Sequence, residues 1–349
     1  MASRVGAASL IRTADGGAAA DGFCLREERK MRIALHDADD TRFPNLALMK
    51  LAAFHKAQGN QVEMFNALVD SARPYDRIYS SKVMAFTPMD PYLPREERVI
   101  FGGPGYDIKA TLPHEVEHVC PDYSVYNLKD RAYGFTTRGC PRRCDGCIVP
   151  EKEGAIRPHA DVEEFWSGQK ELVLLDNNNL AHPHGIRQLE KIAGLPVRLD
   201  CNQGLDARLV DRAAAKVLAR IKWVRFIRFA CDHLDQMPAV ANAIKLIRAE
   251  SGKVGEFFVY VLVKDVKDAL ERVEFLRTLN VTPFAQPFRD IKTNADPTQE
   301  QKDFAQWVNR MWTFKSCPWE EFQPGSRRRQ IGAIRKGLPL LDSVRSAHR

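Results

Sequence analysis

The sequence predicts an α/β protein, and three observations carry that reading. Short apolar strands alternate with amphipathic helices along most of the chain. In the second half every strand is followed by a helix, the order that builds parallel sheets. Gly, Asn and Pro punctuate the segments where each element has to stop. At 349 residues of ordinary globular composition, the chain is long enough for a substantial core and for two domains.

Residues 1–30 are rich in Ala and Gly, lack a periodic apolar pattern and end in the charged run Arg26–Lys30. They read as a disordered extension without the compact apolar core of a secretory signal, and the ordered protein is expected to begin at Met31. A strand over 32–36 leads to an amphipathic helix over 45–58. Leu46, Leu48, Met49, Leu51, Ala52 and Phe54 supply its apolar face, and Gly59-Asn60 stops it. Strands follow at 61–66, 77–79, 83–86 and 98–101, the last running into Gly102-Gly103-Pro104-Gly105. Residues 31–125 are therefore expected to form a small doubly wound, Rossmann-like domain, with the glycine run a tight strand-end turn.

His114-Glu115-Val116-Glu117-His118 matches a zinc-protease helix pattern. Pro113 and Pro121 leave it only a short helix, and no third ligand stands nearby in the sequence, so it reads as a solvated amphipathic turn. From 126 to 324 the pattern repeats. Strands are expected at 131–136, 171–176, 197–202, 223–231, 256–263 and 282–286, with helices at 184–193, 206–221, 237–250, 266–279 and 299–311. Periodicity alone supports only a generic α/β class for this region.

The net charge of +7 is not spread over the chain. The tail from Gly325 to Arg349 holds seven basic residues and one acidic, whereas residues 31–324 are neutral overall. A basic tail can contact phosphates, but it is more commonly a solvated terminus, so nucleic acid is an admissible partner and not the favoured one. No apolar run reaches membrane-spanning length. Eight cysteines in a chain of this length do not form a dense disulfide framework, and clustered thiols with scattered singles point to a reducing cytoplasm.

The chemistry concentrates in Cys140-x-x-x-Cys144-x-x-Cys147, within the run YGFTTRGCPRRCDGCIVPEKE. A closed zinc site takes four protein ligands. Three thiols on one short loop, with no fourth Cys or His close by, suit three corners of a [4Fe–4S] cluster with one iron left open. Cys201 and Cys231 read as core cysteines, and with no second compact cysteine motif no auxiliary cluster is expected.

These residues resemble the radical S-adenosylmethionine (radical SAM) superfamily over about residues 133–322. Its hallmark is this cysteine spacing on the loop after the first strand of a partial β/α barrel. The resemblance implies a partial (β/α)6 radical SAM barrel, a [4Fe–4S] cluster held by Cys140, Cys144 and Cys147, and SAM chelating the open iron. A one-electron reductant of flavodoxin or ferredoxin type then drives cleavage of SAM to a 5′-deoxyadenosyl radical, which removes hydrogen from an unidentified substrate. The second strand end approaches the SAM amino group in this family, which points to Asp176 or Asn178. Arg208 or Arg228 is expected at the carboxylate, and Gln203 joins them as a polar strand-end residue. Two departures stand out. The 176–179 run replaces the usual Gly-Gly-Glu, and Gly146 stands where the family carries an aromatic residue.

The front domain resembles the cobalamin-binding domains that precede many such barrels, but its Asp-x-His-x-x-Gly motif is missing and no cobalamin is expected. Gly139-Cys140-Pro141 is shared with iron–sulfur methylthiotransferases. The front domain offers only Cys120, however, and the 27 residues after Phe322 are too few for an RNA-binding barrel. The competing reading is a non-catalytic iron–sulfur or zinc binding module, with the basic tail as a contact for nucleic acid.

Overall fold

A computed structural model describes residues 29–41, 43–144, 146–251, 256–290, 293 and 295–324. The expectations for residues 1–28 and for the basic tail lie outside these residues. The compact unit that holds every element below begins at Met31.

The first sheet comprises β1 (Arg32–Asp37), β2 (Gln61–Met64), β3 (Arg77–Ser81) and β4 (Val99–Gly102), all parallel in the order β2-β1-β3-β4. Helix α1 (Leu46–Ala57) crosses between β1 and β2, and α2 (Ala67–Asp70) is a single turn after β2. Asn45 caps α1 by accepting from the Leu48 N–H at 3.3 Å. Ile33 and Leu35 pack with Leu48, Leu51 and Ala52 of α1 on one face of the sheet. Ala34 and Ile78 face the other way, against Phe65, Tyr75 and Leu93. That second face is covered by loop residues and one helical turn rather than by a full helix layer, so the winding is less regular than expected. Residues 83–86 are not a strand. They lie in a turn pinned by Asp39, whose carboxylate accepts from the backbone N–H groups of Val83 and Met84 and from the Thr87 hydroxyl. Helix α3 (His114–Glu117) is one turn, shorter than the two that the prolines leave room for.

The second region contains β5 (Arg131–Gly134), a two-residue antiparallel pair β6 (Thr137–Arg138) and β7 (Arg157–Pro158), β8 (Glu171–Leu174), β9 (Arg198–Cys201), β10 (Phe226–Ala230), β11 (Glu256–Val263) and β12 (Thr282–Pro287). All six strands expected here are present. They form two parallel sheets, β5-β8-β9 and β10-β11-β12, linked by isolated parallel bridges from Leu199 to Trp223 and from Leu205 to Phe229. The protein is thus mixed α/β with parallel sheets. After α4 (Val149–Lys152) come α5 (Pro183–Ala193), α6 (Arg212–Arg220), α7 (Met237–Ser251), α8 (Val266–Thr278), α9 (Gln299–Asn309) and α10 (Met311–Ser316). The expected 206–221 helix is split. A 3₁₀ turn capped by Asp206 ends at Val210, and Asp211 caps α6 afresh.

Alternation decides what each strand face does. Ile227 and Phe229 of β10, and Phe257, Val259, Val261 and Val263 of β11, are buried in the core that the helices share. Phe226, Arg228, Phe258, Tyr260 and Phe284 lie half-buried on the opposite face. Arg228 is paired there with Asp200 through two hydrogen bonds (2.7 and 3.0 Å) and donates to the Tyr260 hydroxyl at 3.1 Å. A guanidinium drawn part-way out of water needs such partners. On the core side, the fully buried Arg272 of α8 donates to the Cys231 and Leu262 carbonyls, fixing the exits of β10 and β11.

A charge cluster joins the first sheet's helices to the β6–β7 pair. Glu117 accepts from Lys50 at 3.0 Å, His159 at 3.1 Å and Arg138 at 3.4 Å. Burial alone would raise its pKa. The hydrogen bond from His159 and the charges of Lys50 and Arg138 outweigh burial and hold the carboxyl at about 2. The folded pKa lies below the unfolded one, so this stabilisation is complete above about pH 4.5 and is lost as pH falls towards 2. It is worth on the order of 3 kcal/mol. Glu117→Gln is therefore expected to lower the urea midpoint at pH 7 and to flatten the acid limb of stability against pH, read from urea titrations between pH 7 and pH 3.

Candidate functional site

The cysteine loop leaves β6 and returns to β7, so both of its ends are held by one antiparallel pair. Gly139 opens the loop with φ +80°, and a Cβ there would stand 2.2 Å from the Ala155 carbonyl oxygen. Only glycine meets both conditions. The Cys140 N–H donates across the loop to Gly154 O at 3.2 Å, and the Cys147 N–H closes a turn onto Cys144 O at 3.1 Å. Cys140 is half-buried, while Cys144 and Cys147 are exposed. Although its surface is exposed, the atoms packed around the Cys147 sulfur desolvate it and push the thiol up, and the neighbouring Cys144 and Cys140 add to this.

Three elements converge on these sulfurs. The loop's own Arg142 N–H lies 3.4 Å from Cys140 Sγ. From the turn after β8, Asn178 Nδ2 lies 3.6 Å from Cys140 Sγ and 3.2 Å from Asp206 Oδ2. From the turn after β9, Asp206 accepts from Arg142 Nε at 3.0 Å and from Arg208 Nε at 2.7 Å. Burial alone would raise the Asp206 carboxyl, but the two arginines hold it below its usual range. Arg208 also lies beside the Cys144 thiol. After β10, Asp232 accepts from the Leu262 N–H at 3.0 Å, and burial pushes its carboxyl up. Asn178 is only 4% exposed, and its Oδ1 has no hydrogen-bond partner. A buried acceptor without a donor calls for an explanation, and a bound group is one.

The residues singled out in the sequence therefore separate. Asn178 and Arg208 stand at the thiols. Gln203 is exposed in the turn after β9. Arg228 belongs to the ion pair with Asp200 on the half-buried sheet face. Asp176 is 5% exposed, and its carboxylate accepts from both the N–H and the hydroxyl of Thr136 and of Thr137, at 2.6–3.2 Å. That makes it a latch between the ends of β8 and β5. Asp206 is the residue whose full role the sequence hid. Its position before a helix marks a cap, which it is, but its ion pairs with Arg142 and Arg208 depend on tertiary proximity.

Among the described residues no group of three or more His, Cys, Asp or Glu is arranged to hold a metal ion, the His114/His118 pair included. His118 pairs instead with Glu164 at 2.9 Å. The zinc-protease pattern is thus a seam residue set. A single ion gathers its donors around one point, whereas in a cluster each thiolate takes its own iron. No helix among the described residues is long and apolar enough to cross a membrane. No protein-family model matches the chain, and no curated protein matches it.

Cys201 and Cys231 are buried. Burial drives the Cys201 thiol far up and the Cys231 thiol up to about 12. Neither is poised to react or to ligate at neutral pH. Iodoacetamide at pH 8 is expected to label Cys140, Cys144 and Cys147 in the metal-free native protein and to reach Cys201 and Cys231 only in denaturant. Peptide mass spectrometry reads the difference.

Proposed function

We propose that the protein is a radical SAM enzyme. Its six parallel strands would act as a partial β/α barrel, and Cys140, Cys144 and Cys147 would hold a [4Fe–4S] cluster. The observation that carries the reading is Asn178, a buried amide that donates towards Cys140 and Asp206 and leaves its carbonyl oxygen unpartnered beside an open three-thiol loop. The donor set fits the group. Three thiolates would ligate three irons, and N–H groups from Arg142 and Asn178 already point at a sulfur, as is common around cluster ligands.

When bound, the cluster supplies the electron that cleaves SAM to methionine and a 5′-deoxyadenosyl radical, which abstracts hydrogen from the substrate. The chain's own residues do the positioning. Asn178 Oδ1 offers an acceptor for the SAM amino group, a role that Asp176 cannot share because Thr136 and Thr137 take its oxygens. Arg208, oriented by Asp206 next to Cys144, is the carboxylate partner. Arg228 holds the half-buried sheet face together through Asp200 and Tyr260. The substrate side of the site would lie at the exits of the strands, where parallel α/β sheets bind ligands. A flavodoxin- or ferredoxin-like protein would supply the electron.

The test is anaerobic reconstitution with iron and sulfide, reduction, addition of SAM, and quantification of 5′-deoxyadenosine by mass spectrometry. Product that disappears in Cys144→Ala supports the proposal. Zinc uptake in place of iron, or a cluster indifferent to SAM, overturns it in favour of a binding module. Asn178→Ala is expected to keep the cluster and to weaken SAM binding about tenfold, the worth of one buried hydrogen bond.

A further inference from the structure

Gly146 lies between the second and third cysteines with φ +76°. A Cβ at this position would stand 2.9 Å from Phe288 Cε2 and 3.1 Å from Cζ. The Phe288 ring therefore rests directly on the loop backbone and occupies the space that a side chain at 146 would need. Lys264 Nζ sits 4.6 Å from the centroid of the same ring and 3.9 Å from the Gly146 Cβ position. Neither residue belongs to the loop. The Phe288 N–H donates to Val263 O at 3.0 Å, which continues the β11–β12 ladder by one residue. Lys264 follows β11 directly, and its carbonyl accepts from Gln301 Nε2 of α9 at 2.8 Å. Ring and ammonium are thus delivered by two adjacent strand ends.

We propose that Phe288 and Lys264 form a fixed wall against the cysteine loop that shields the metal group and sets its reduction potential. The inference rests on the cluster reading above and assigns it two positioning residues. An aromatic ring packed on Gly146 keeps water off that side of the loop. Solvent exposure and local charge are among the factors that set cluster potentials. A cation held over the ring makes an added electron cheaper to accommodate, which moves the potential upwards. The small residue at 146 follows from the same contact. The ring over Gly146 comes from the residue that follows β12.

The experiment compares the reconstituted wild type with Phe288→Ala, Phe288→Leu and Lys264→Met, each checked for native circular dichroism. Iron release to a chelator and the midpoint potential, from redox titration followed by electron paramagnetic resonance, are read without any turnover. Phe288→Ala is expected to release iron at least threefold faster than wild type, with Phe288→Leu between them. Lys264→Met is expected to retain iron like wild type and to titrate at a more negative potential. Equal iron release in Phe288→Ala and wild type overturns the shielding role, and an unchanged midpoint in Lys264→Met overturns the tuning role. A wild-type chain that assembles no cluster overturns the proposed function and this inference together. Normal cluster assembly with indifferent variants overturns the wall alone.

Discussion

The contact on which the site depends is the carboxylate of Asp176. It sits at the end of β8 and gathers the backbone and hydroxyl donors of Thr136 and Thr137, the residues that carry the chain from β5 into the cysteine loop. Thr136 and Thr137 are fully buried, so water cannot replace the carboxylate as their acceptor. Burial raises the Asp176 carboxyl, and only these donors make the charged form tolerable. The same contact puts the next turn of the chain, with Asn178, against Cys140. Position at one strand end thereby becomes geometry at the thiols.

Two other carboxylates organise the surroundings differently. Asp206 lies between Arg142, Arg208 and Asn178, and so links the loop to the exits of β8 and β9. Glu117 lies between Lys50, Arg138 and His159, behind the β6–β7 pair. Arg138 reaches from Glu117 to Glu153, one residue before the glycine whose carbonyl receives the Cys140 N–H. The loop is therefore braced from both sides by ion pairs whose partners come from distant segments. Such partly buried networks fix geometry as well as adding stability, because removing one partner leaves the others unpaired.

Much of the architecture was legible because it is written in local pattern. The six strands of the second region sit where alternation and apolar runs put them, as does α1 with its Gly59 stop. The misreadings share a physical cause. Val83, Met84 and Phe86 have strand-like side chains, but the carboxylate of Asp39, more than forty residues away, takes up the backbone donors of Val83 and Met84 and the Thr87 hydroxyl in a turn. Lys50 and His55 of α1 are likewise buried against partners on other elements, Glu117 and Tyr79, which no local pattern shows. Within the site, the thiols were plain from spacing alone. Asp176 and Asn178 were indistinguishable by sequence, because what separates them is whether two threonines claim their lone pairs. Phe288 was invisible for a similar reason, since nothing in a local window shows that a residue after the last strand lies on the loop after the first.

The way the loop is tethered has a thermodynamic consequence. Its ends are closed by the β6–β7 pair and by the Cys140–Gly154 hydrogen bond, and its base is held by the Asp176 latch, all built from protein groups alone. A metal group taken up here would be held by a span of about a dozen residues between those posts. In small zinc modules the affinity for metal is largely folding free energy. Here the posts of the loop are protein contacts, so a group bound between them would add its affinity to a framework set by β6, β7 and the Asp176 latch.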